Sequence, residues 1–585
     1  MPWVVIGAGI LAYLGSFRGV FLFDDLWSIV QNPAIRRWDS AWGSLAANSN
    51  NRPLVWLSFA LNYAISGSRP WSYHLFNLVV HLLAALTLFA VVARTLRTPR
   101  FPRTTPESAH RFALVVALLW TLHPLQTESV TYVYQRAESM MGLFVLLTLC
   151  AAIRGAESKR PAPWHAAAVL ACALGMGCKA AMISAPIVVL LYDHVFLSGS
   201  FAAVLRRRWP LHAGLFATWV VLGATGAAGL VLHPTAAQRQ VTTVGLGYAR
   251  TTPLQYALTQ PGVILHYLRL SVWPHPLCLD YWWPLAKTMP SIVLPSLVVA
   301  ALLAGTILSF RRLPALGFAG AWFFLVLAPT SSVVPVEDPA FEHRMYLPLA
   351  GVIALLAVAA GALLRRAGES LRWSPGARRA AAVALLALAA GALGVLTILR
   401  QRDYRSEEIM WAKIAGQRPG NPRAHDFLGV LLGARGEVDE AIAQFREAIR
   451  LKPDAVEAYD NLGFYLERQG RFDEAVAQTR EAIRLEPGYA GSHYNLGCFF
   501  ASRGRLEEAI PEFREAARLK PDFLDAHANL ALALARAGRL NEAMAPLRRA
   551  LELDPGNAQA NRVLAWVRLR MRTAAPAQGP TRPSR

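Results

Sequence analysis

Long apolar runs fill residues 1–400, whereas from there to the C-terminus apolar residues come in short, regular pulses. A helix that crosses a bilayer needs about 20 apolar residues. Runs of that kind lie near 2–18, 74–94, 110–124, 139–153, 164–178, 181–197, 210–232, 291–309, 315–331, 346–364 and 379–399. The pattern predicts about eleven spans. The run 261–273, "PGVILHYLRLSVW", is short and carries His266 and Arg269. It reads as a re-entrant or interfacial helix. The opening "MPWVVIGAGILAYLGS" lacks a basic start and a small-residue cleavage site, so it reads as a retained first span.

Beyond residue 400 the pulses repeat every 34 residues. Pro419, Pro453, Pro487, Pro521 and Pro555 keep that period, as do Leu428, Leu462, Leu496 and Leu530, each followed by Gly429, Gly463, Gly497 or Ala531. Gly436, Gly470, Gly504 and Gly538 stay in step, and so do Ala441, Ala475, Ala509 and Ala543. This is the tetratricopeptide pattern of two helices per unit, in which each unit buries its apolar face only against its neighbours. The predicted fold class is therefore all-α: a polytopic helical membrane domain over 1–400, a linker or half repeat over 401–421, and a tetratricopeptide α-solenoid with a capping helix over 422–571. A Pro-, Ala- and Arg-rich tail over 572–585 reads as disordered.

Charge sets the sidedness. The net charge of +21 sits largely in short basic loops between apolar runs: 94–103, 154–160, 206–208, 311–312 and 365–379. That is the positive-inside signal, and it excludes nucleic acid as the reason for the charge. With these loops in the cytoplasm and 261–273 not crossing, the N-terminus lies inside and the repeats outside. Loops 19–73, 122–138, 178–181, 233–290 and 332–345 then gather on the outer face. None of the five cysteines forms a C-x-x-C pair, so they read as small buried hydrophobes.

The outer loops carry the candidate chemistry, since polar groups gathered at membrane depth mark a site. Asp24 and Asp25, in "FDDLWS", stand side by side, and each repels the other's charge unless a cation or metal compensates. A carboxylate there suits a general base for a hydroxyl. The alternative is a cap for the helix that "LWSIV" begins, and one Asp can do each job. Arg52, Arg136, Lys179 and Arg344 fall on the same face with His123, His275 and His343, accompanied by Glu128, Glu138 and Glu342. Such a cation set would hold a phosphate; the bland reading of any one member is interfacial snorkelling. A hydroxyl-activating acid beside a lipid-facing phosphate site describes glycosyl transfer from a lipid phosphate carrier. Trp27, Trp273, Tyr281, Trp282 and Trp283 read as interface anchors before sugar platforms. There is no phosphate-binding G-x-x-x-x-G-K-[ST] loop, no G-x-S-x-G and no H-E-x-x-H.

Together, "FDDLWSIVQNP", "NRPLVWLSFALNYAISGSRPWSYHLFNLVVH", "HPLQTESVTYVYQRAESMMGLF", "VILHYLRLSVWPHPLCLDYWWP" and "EHRMYLPLAGV", followed by the repeats, resemble in order the transmembrane and tetratricopeptide-repeat-containing O-mannosyltransferase family. The resemblance implies a GT-C-type, inverting glycosyltransferase that uses a polyprenyl-phosphate sugar to modify Ser or Thr hydroxyls of proteins on the non-cytoplasmic side. It implies Asp24 or Asp25 as the base and Arg136, Lys179 and Arg344 at the carrier phosphate. Lys179 is followed by Ala180 where the family commonly has Glu, and His343 separates Glu342 from Arg344. The Ala-, Arg- and Leu-rich composition points to a bacterial member, with the repeats periplasmic and recruiting the acceptor protein. No resident cofactor is implied, although a divalent metal is compatible with the acids. Two other readings stay open: a cell-envelope glycan or lipid as acceptor, and a non-enzymatic anchor whose repeats serve as a scaffold or spacer.

Overall fold

The computed structural model describes residues 1–36, 52–226 and 251–574. The remaining residues take in part of the expected first outer loop, the end of the expected span 210–232, the start of the loop 233–290 and the tail from 575 onward, so those expectations lie outside the described residues. Every described element is a helix, and the chain divides into two compact units, residues 1–413 and 414–585.

Among the described residues, six helices of the first unit are long and apolar enough to cross a membrane: Trp71–Thr95, Val133–Glu157, Ala180–Ser198, Met289–Arg312, Pro348–Ser370 and Pro375–Tyr404. Pro2–Arg18, Pro53–Ser66, Ala162–Met176 and Pro314–Leu327 are apolar but shorter. Composition starts these helices as expected. Proline occupies the first turn of Pro2–Tyr13, Pro53–Ser66, Pro106–Thr121 and Pro348–Ser370, where its missing N–H has no partner to lose. Thr105, Thr252 and Ser374 accept backbone N–H groups as caps.

The helix Pro53–Ser66 lies within what the sequence pattern assigned to a loop. The helix Pro253–Val272 is 20 residues long, yet with Gln255, Gln260, His266 and Arg269 it is not among the six. Burial ranks the spans. In Val133–Glu157, 72% of the apolar window is buried, against 6% in Met289–Arg312 and 6% in Pro375–Tyr404. The first is the centre of the unit, packed against Trp71–Thr95 and Ala162–Met176; the last two present their apolar faces outward, where lipid satisfies them.

In the second unit, helices Pro422–Ala434 and Val438–Leu451 open a series of four hairpins that closes with Leu540–Leu553 and a further helix, Ala558–Ala574. Phe445, Leu462, Phe500, Phe513, Leu534 and Leu547 belong to one continuous buried core. The glycines in step at 436, 470, 504 and 538 sit at φ between +73° and +87°, where each first helix ends in a left-handed turn. Neighbouring repeats are stapled by side chains 35 residues apart: Asn461 donates to Asp426 at 3.0 Å and Asn495 to Asp460 at 2.8 Å.

Candidate functional site

The two first-loop acids are in different environments. Asp25 is 0% exposed; its Oδ2 accepts the N–H of Leu22 at 3.1 Å and its Oδ1 the N–H of Tyr134 at 2.7 Å. Burial pushes its carboxyl well above the usual range, while the two N–H bonds pull it back. Leu26–Val30 forms a π turn, and Asp25 makes no side-chain cap bond to it. Asp25 is therefore not the cap of that turn: its carboxylate turns back to Leu22 and across to Tyr134. Asp24 is partly exposed, and its N–H donates to the Tyr132 hydroxyl at 3.0 Å.

Just before it, Phe23 has φ +48°, a left-handed conformation that is costly for an aromatic residue. Its ring stands edge-on to Trp411 at 5.6 Å. The loop around Asp24 is thus held by Tyr132, by Tyr134 through Asp25, and by Trp411. Neither tyrosine was singled out from the sequence. The signal available was their Tyr-x-Tyr spacing beside Arg136 in "TYVYQRAES", which puts Tyr132 and Tyr134 two residues apart on one stretch of chain.

The same stretch leads to the basic groups. The Arg52 guanidinium lies over the Tyr134 ring, 5.7 Å from its centre, and Arg52 is partly exposed. Lys179 forms an ion pair with Glu138. The carboxylate of Glu128 accepts the His343 N–H at 2.8 Å and meets His343 Nδ1 at 2.6 Å. Burial pushes His343 well below the usual histidine range, and nearby Lys179, Arg344 and Arg52 push the same way while Glu138 opposes them. Burial pushes Glu128 up, opposed by the His343 N–H and by Arg400, Lys179 and Arg344. These mutual influences put Arg52, Glu128, Glu138, Lys179, His343 and Arg344 in one neighbourhood, gathered from four separate stretches of chain.

Several expected groups are occupied within the fold. Arg136, expected at the carrier phosphate, is 0% exposed. It donates to Ser58 Oγ at 3.0 Å, Asn62 Oδ1 at 2.6 Å and the Tyr73 carbonyl at 3.1 Å, and it lies 4.6 Å from the ring centres of both Phe59 and Phe76. Both terminal nitrogens of the guanidinium are thus bonded within the fold, while Nε has no partner among the described residues. Arg344 is also buried and donates to the carbonyls of Thr330, Pro339 and Asp338, holding its own loop. Both cations are therefore buried with partners inside the fold, and Arg344 contributes its charge to the neighbourhood of His343.

His123 is buried with Nδ1 accepting the Leu125 N–H and Nε2 against the Ser271 carbonyl, a structural placement. Glu342 accepts from Cys278 N–H at 2.6 Å and Tyr281 hydroxyl at 2.7 Å and pairs with Arg400 at 3.3 Å. Arg400 also binds Asp403 at 2.7 Å, and Lys413 binds Asp403 at 2.6 Å. Sequence reading missed this network, since Arg400 reads there only as the charge that ends the last apolar run. Tyr281 is accordingly buried, not an anchor, whereas Trp27 and Trp273 are 72% and 68% exposed, as anchors require. Among the described residues no group of three or more His, Cys, Asp or Glu side chains is placed to hold a metal ion.

Comparison with known proteins bears on both units. The tetratricopeptide-repeat families match residues 429–470, 461–522 and 494–558. Over 507 residues the chain is 27% identical to Protein O-mannosyl-transferase TMTC4 of Mus musculus, covering 76% of this chain and 65% of that protein. Its homologues are protein O-mannosyl-transferases. The mouse protein named TMTC1 is 35% identical over 157 residues, covering 25% of this chain and 16% of its own length. A Caenorhabditis elegans relative, F38B6.6, is 24% identical over 475 residues, covering 77% and 62%. The chain thus spans less than two thirds of the length of each of these relatives. Among solved structures, the tetratricopeptide protein YrrB is 22% identical over 28% of this chain and 85% of its own, with a TM-score of 0.26.

Proposed function

We propose that this protein is an integral membrane glycosyltransferase that moves a sugar from a polyprenyl-phosphate carrier to Ser or Thr hydroxyls of proteins on the non-cytoplasmic face. The observation that carries the reading is the division of labour between the two acids. Asp25 is buried and fixed by two N–H bonds, and Asp24 is held beside it, partly exposed, on a strained and pinned loop.

In this reading Asp24 takes the proton of the acceptor hydroxyl as its oxygen attacks the anomeric carbon. The bond from that carbon to the carrier phosphate breaks on the opposite side, so the configuration inverts. Arg52 and Lys179 receive the phosphate, and the charge of Arg344 supports them from within the fold. Asp25, Tyr132 and Tyr134 position Asp24. The repeats recruit the acceptor, outside the cytoplasm and, in a bacterial inner membrane, in the periplasm. The relatives' names and the order of the landmark motifs support a protein acceptor over a glycan or lipid.

The test is mass spectrometry of envelope glycoproteins from cells carrying the wild type or Asp24→Asn at equal membrane abundance. Loss of a hexose-type modification on Ser or Thr is expected. An unchanged glycoproteome removes Asp24 as the base, and one unchanged in Asp25→Asn as well rejects the enzymatic reading.

A further inference from the structure

The helix Ala558–Ala574 closes the repeat stack, and its outer face is unlike that of a cap. A terminal repeat element ordinarily turns a polar face outward so that the array stays soluble. Here Ala560, Val563 and Val567 are buried against the stack, while Trp566 is 40% and Leu569 62% exposed. Around those two apolar side chains the helix exposes Arg562, Arg568, Arg570 and Arg572 and contains no acidic residue. The Arg570 guanidinium lies over the Trp566 ring, 5.4 Å from its centre.

In other helices of the stack several arginines are compensated by a glutamate on the same helix. Arg450, Arg484 and Arg518 each pair with a glutamate three residues earlier, Glu447, Glu481 and Glu515, at 2.6 Å. None of the four arginines of the closing helix forms an ion pair among the described residues. Four uncompensated guanidinium groups flanking an exposed Trp and Leu make a cationic amphipathic face. That composition fits the boundary between phosphate headgroups and acyl chains: arginines on the phosphates, the indole and the leucine just beneath. Among the described residues six helices are long and apolar enough to cross a membrane, which makes a lipid surface a fitting partner.

We propose that the outer face of Ala558–Ala574 docks on an anionic phospholipid surface. The inference does not depend on the glycosyltransferase reading. It is tested on the full chain in nanodiscs of phosphatidylcholine alone and of phosphatidylcholine with phosphatidylglycerol in equal parts, by hydrogen exchange of peptides covering 558–574. Exchange is expected to be about tenfold slower in the anionic discs, since each arginine near such a surface is attracted to it. The protection is expected to disappear in a variant carrying Arg562→Gln, Arg568→Gln, Arg570→Gln and Arg572→Gln, and to fall in Trp566→Ser with Leu569→Ser. Unchanged exchange over 422–553 shows that the stack stays folded in each variant. Equal exchange in the two kinds of disc overturns the proposal, as does protection that grows with protein concentration in detergent, which would mark a second copy as the occupant.

Discussion

The Tyr134 N–H donates to Asp25 Oδ1 at 2.7 Å, joining positions 109 residues apart in the chain. One hydrogen bond thereby fixes the segment that follows the first helix to the start of the most buried long apolar helix. Because Asp25 also accepts the Leu22 N–H, both of its oxygens hold backbone, whereas its neighbour Asp24 is partly exposed.

Asp24→Asn and Asp25→Asn should therefore fail in different ways. Asp24→Asn removes the glycosylation product and leaves thermal stability within about 0.5 kcal/mol, as for a partly exposed side chain. Asp25→Asn turns one oxygen into a donor facing an N–H group, and leaving that group unsatisfied costs about 1–3 kcal/mol. Product formation and unfolding temperature, measured on both variants in the same membranes, separate the two roles. Full activity in Asp24→Asn removes it as the base.

Tyr132→Phe leaves the Asp24 N–H without the hydroxyl that accepts it. If Tyr132 positions Asp24, turnover falls about tenfold with little change in the KM for the donor, the sign of misplaced geometry. A raised donor KM with unchanged turnover would instead place Tyr132 in the carrier site.

Arg136→Ala should act on folding. The buried guanidinium joins Ser58, Asn62 and the Tyr73 carbonyl between two phenyl rings, and deleting it strands those acceptors. The expected loss is about 3–5 kcal/mol, read as low folded yield in membranes. Arg52→Gln, by contrast, should leave the yield unchanged and raise the donor KM about tenfold or more, the worth of a hydrogen bond to a charged group. A well-folded Arg136→Ala with a raised donor KM would reverse the two assignments.

The repeats should become less stable as pH rises from about 4 to 6. Burial pushes the carboxyls of Asp426 and Asp460 up from 3.8 to about 6, with the hydrogen bonds from Asn461 and Asn495 pulling the other way. In that window the folded repeats hold protons that the unfolded chain has lost, so folding is favoured on the acid side and weakened above it. Asp426→Asn with Asp460→Asn should flatten the slope and stabilise the repeats at neutral pH by about 1–2 kcal/mol. Hydrogen exchange over 422–557 as a function of pH measures both.

The apolar run lengths in the sequence found the six long spans, and the 34-residue period found every hairpin of the stack, because burial in lipid and stacking of identical units are one-dimensional constraints. The sequence missed Pro53–Ser66, which is too short for a span and too apolar for a loop. It also could not distinguish among its cations. Arg52, Arg136 and Arg344 look alike as letters in polar loops, yet one is partly exposed over Tyr134 and two are enclosed by the fold.

The sequence alone therefore determined the long apolar helices, where the repeats begin, and that acids and bases gather between the apolar runs. Only the tertiary structure decided which of those charges is available. Whether a guanidinium or carboxylate faces a ligand depends on which carbonyls, hydroxyls and N–H groups the packed chain brings to it from distant positions. Asp25 bound to Tyr134, and Arg136 enclosed by Ser58, Asn62 and Tyr73, owe their roles to contacts across more than 60 residues that no local pattern encodes.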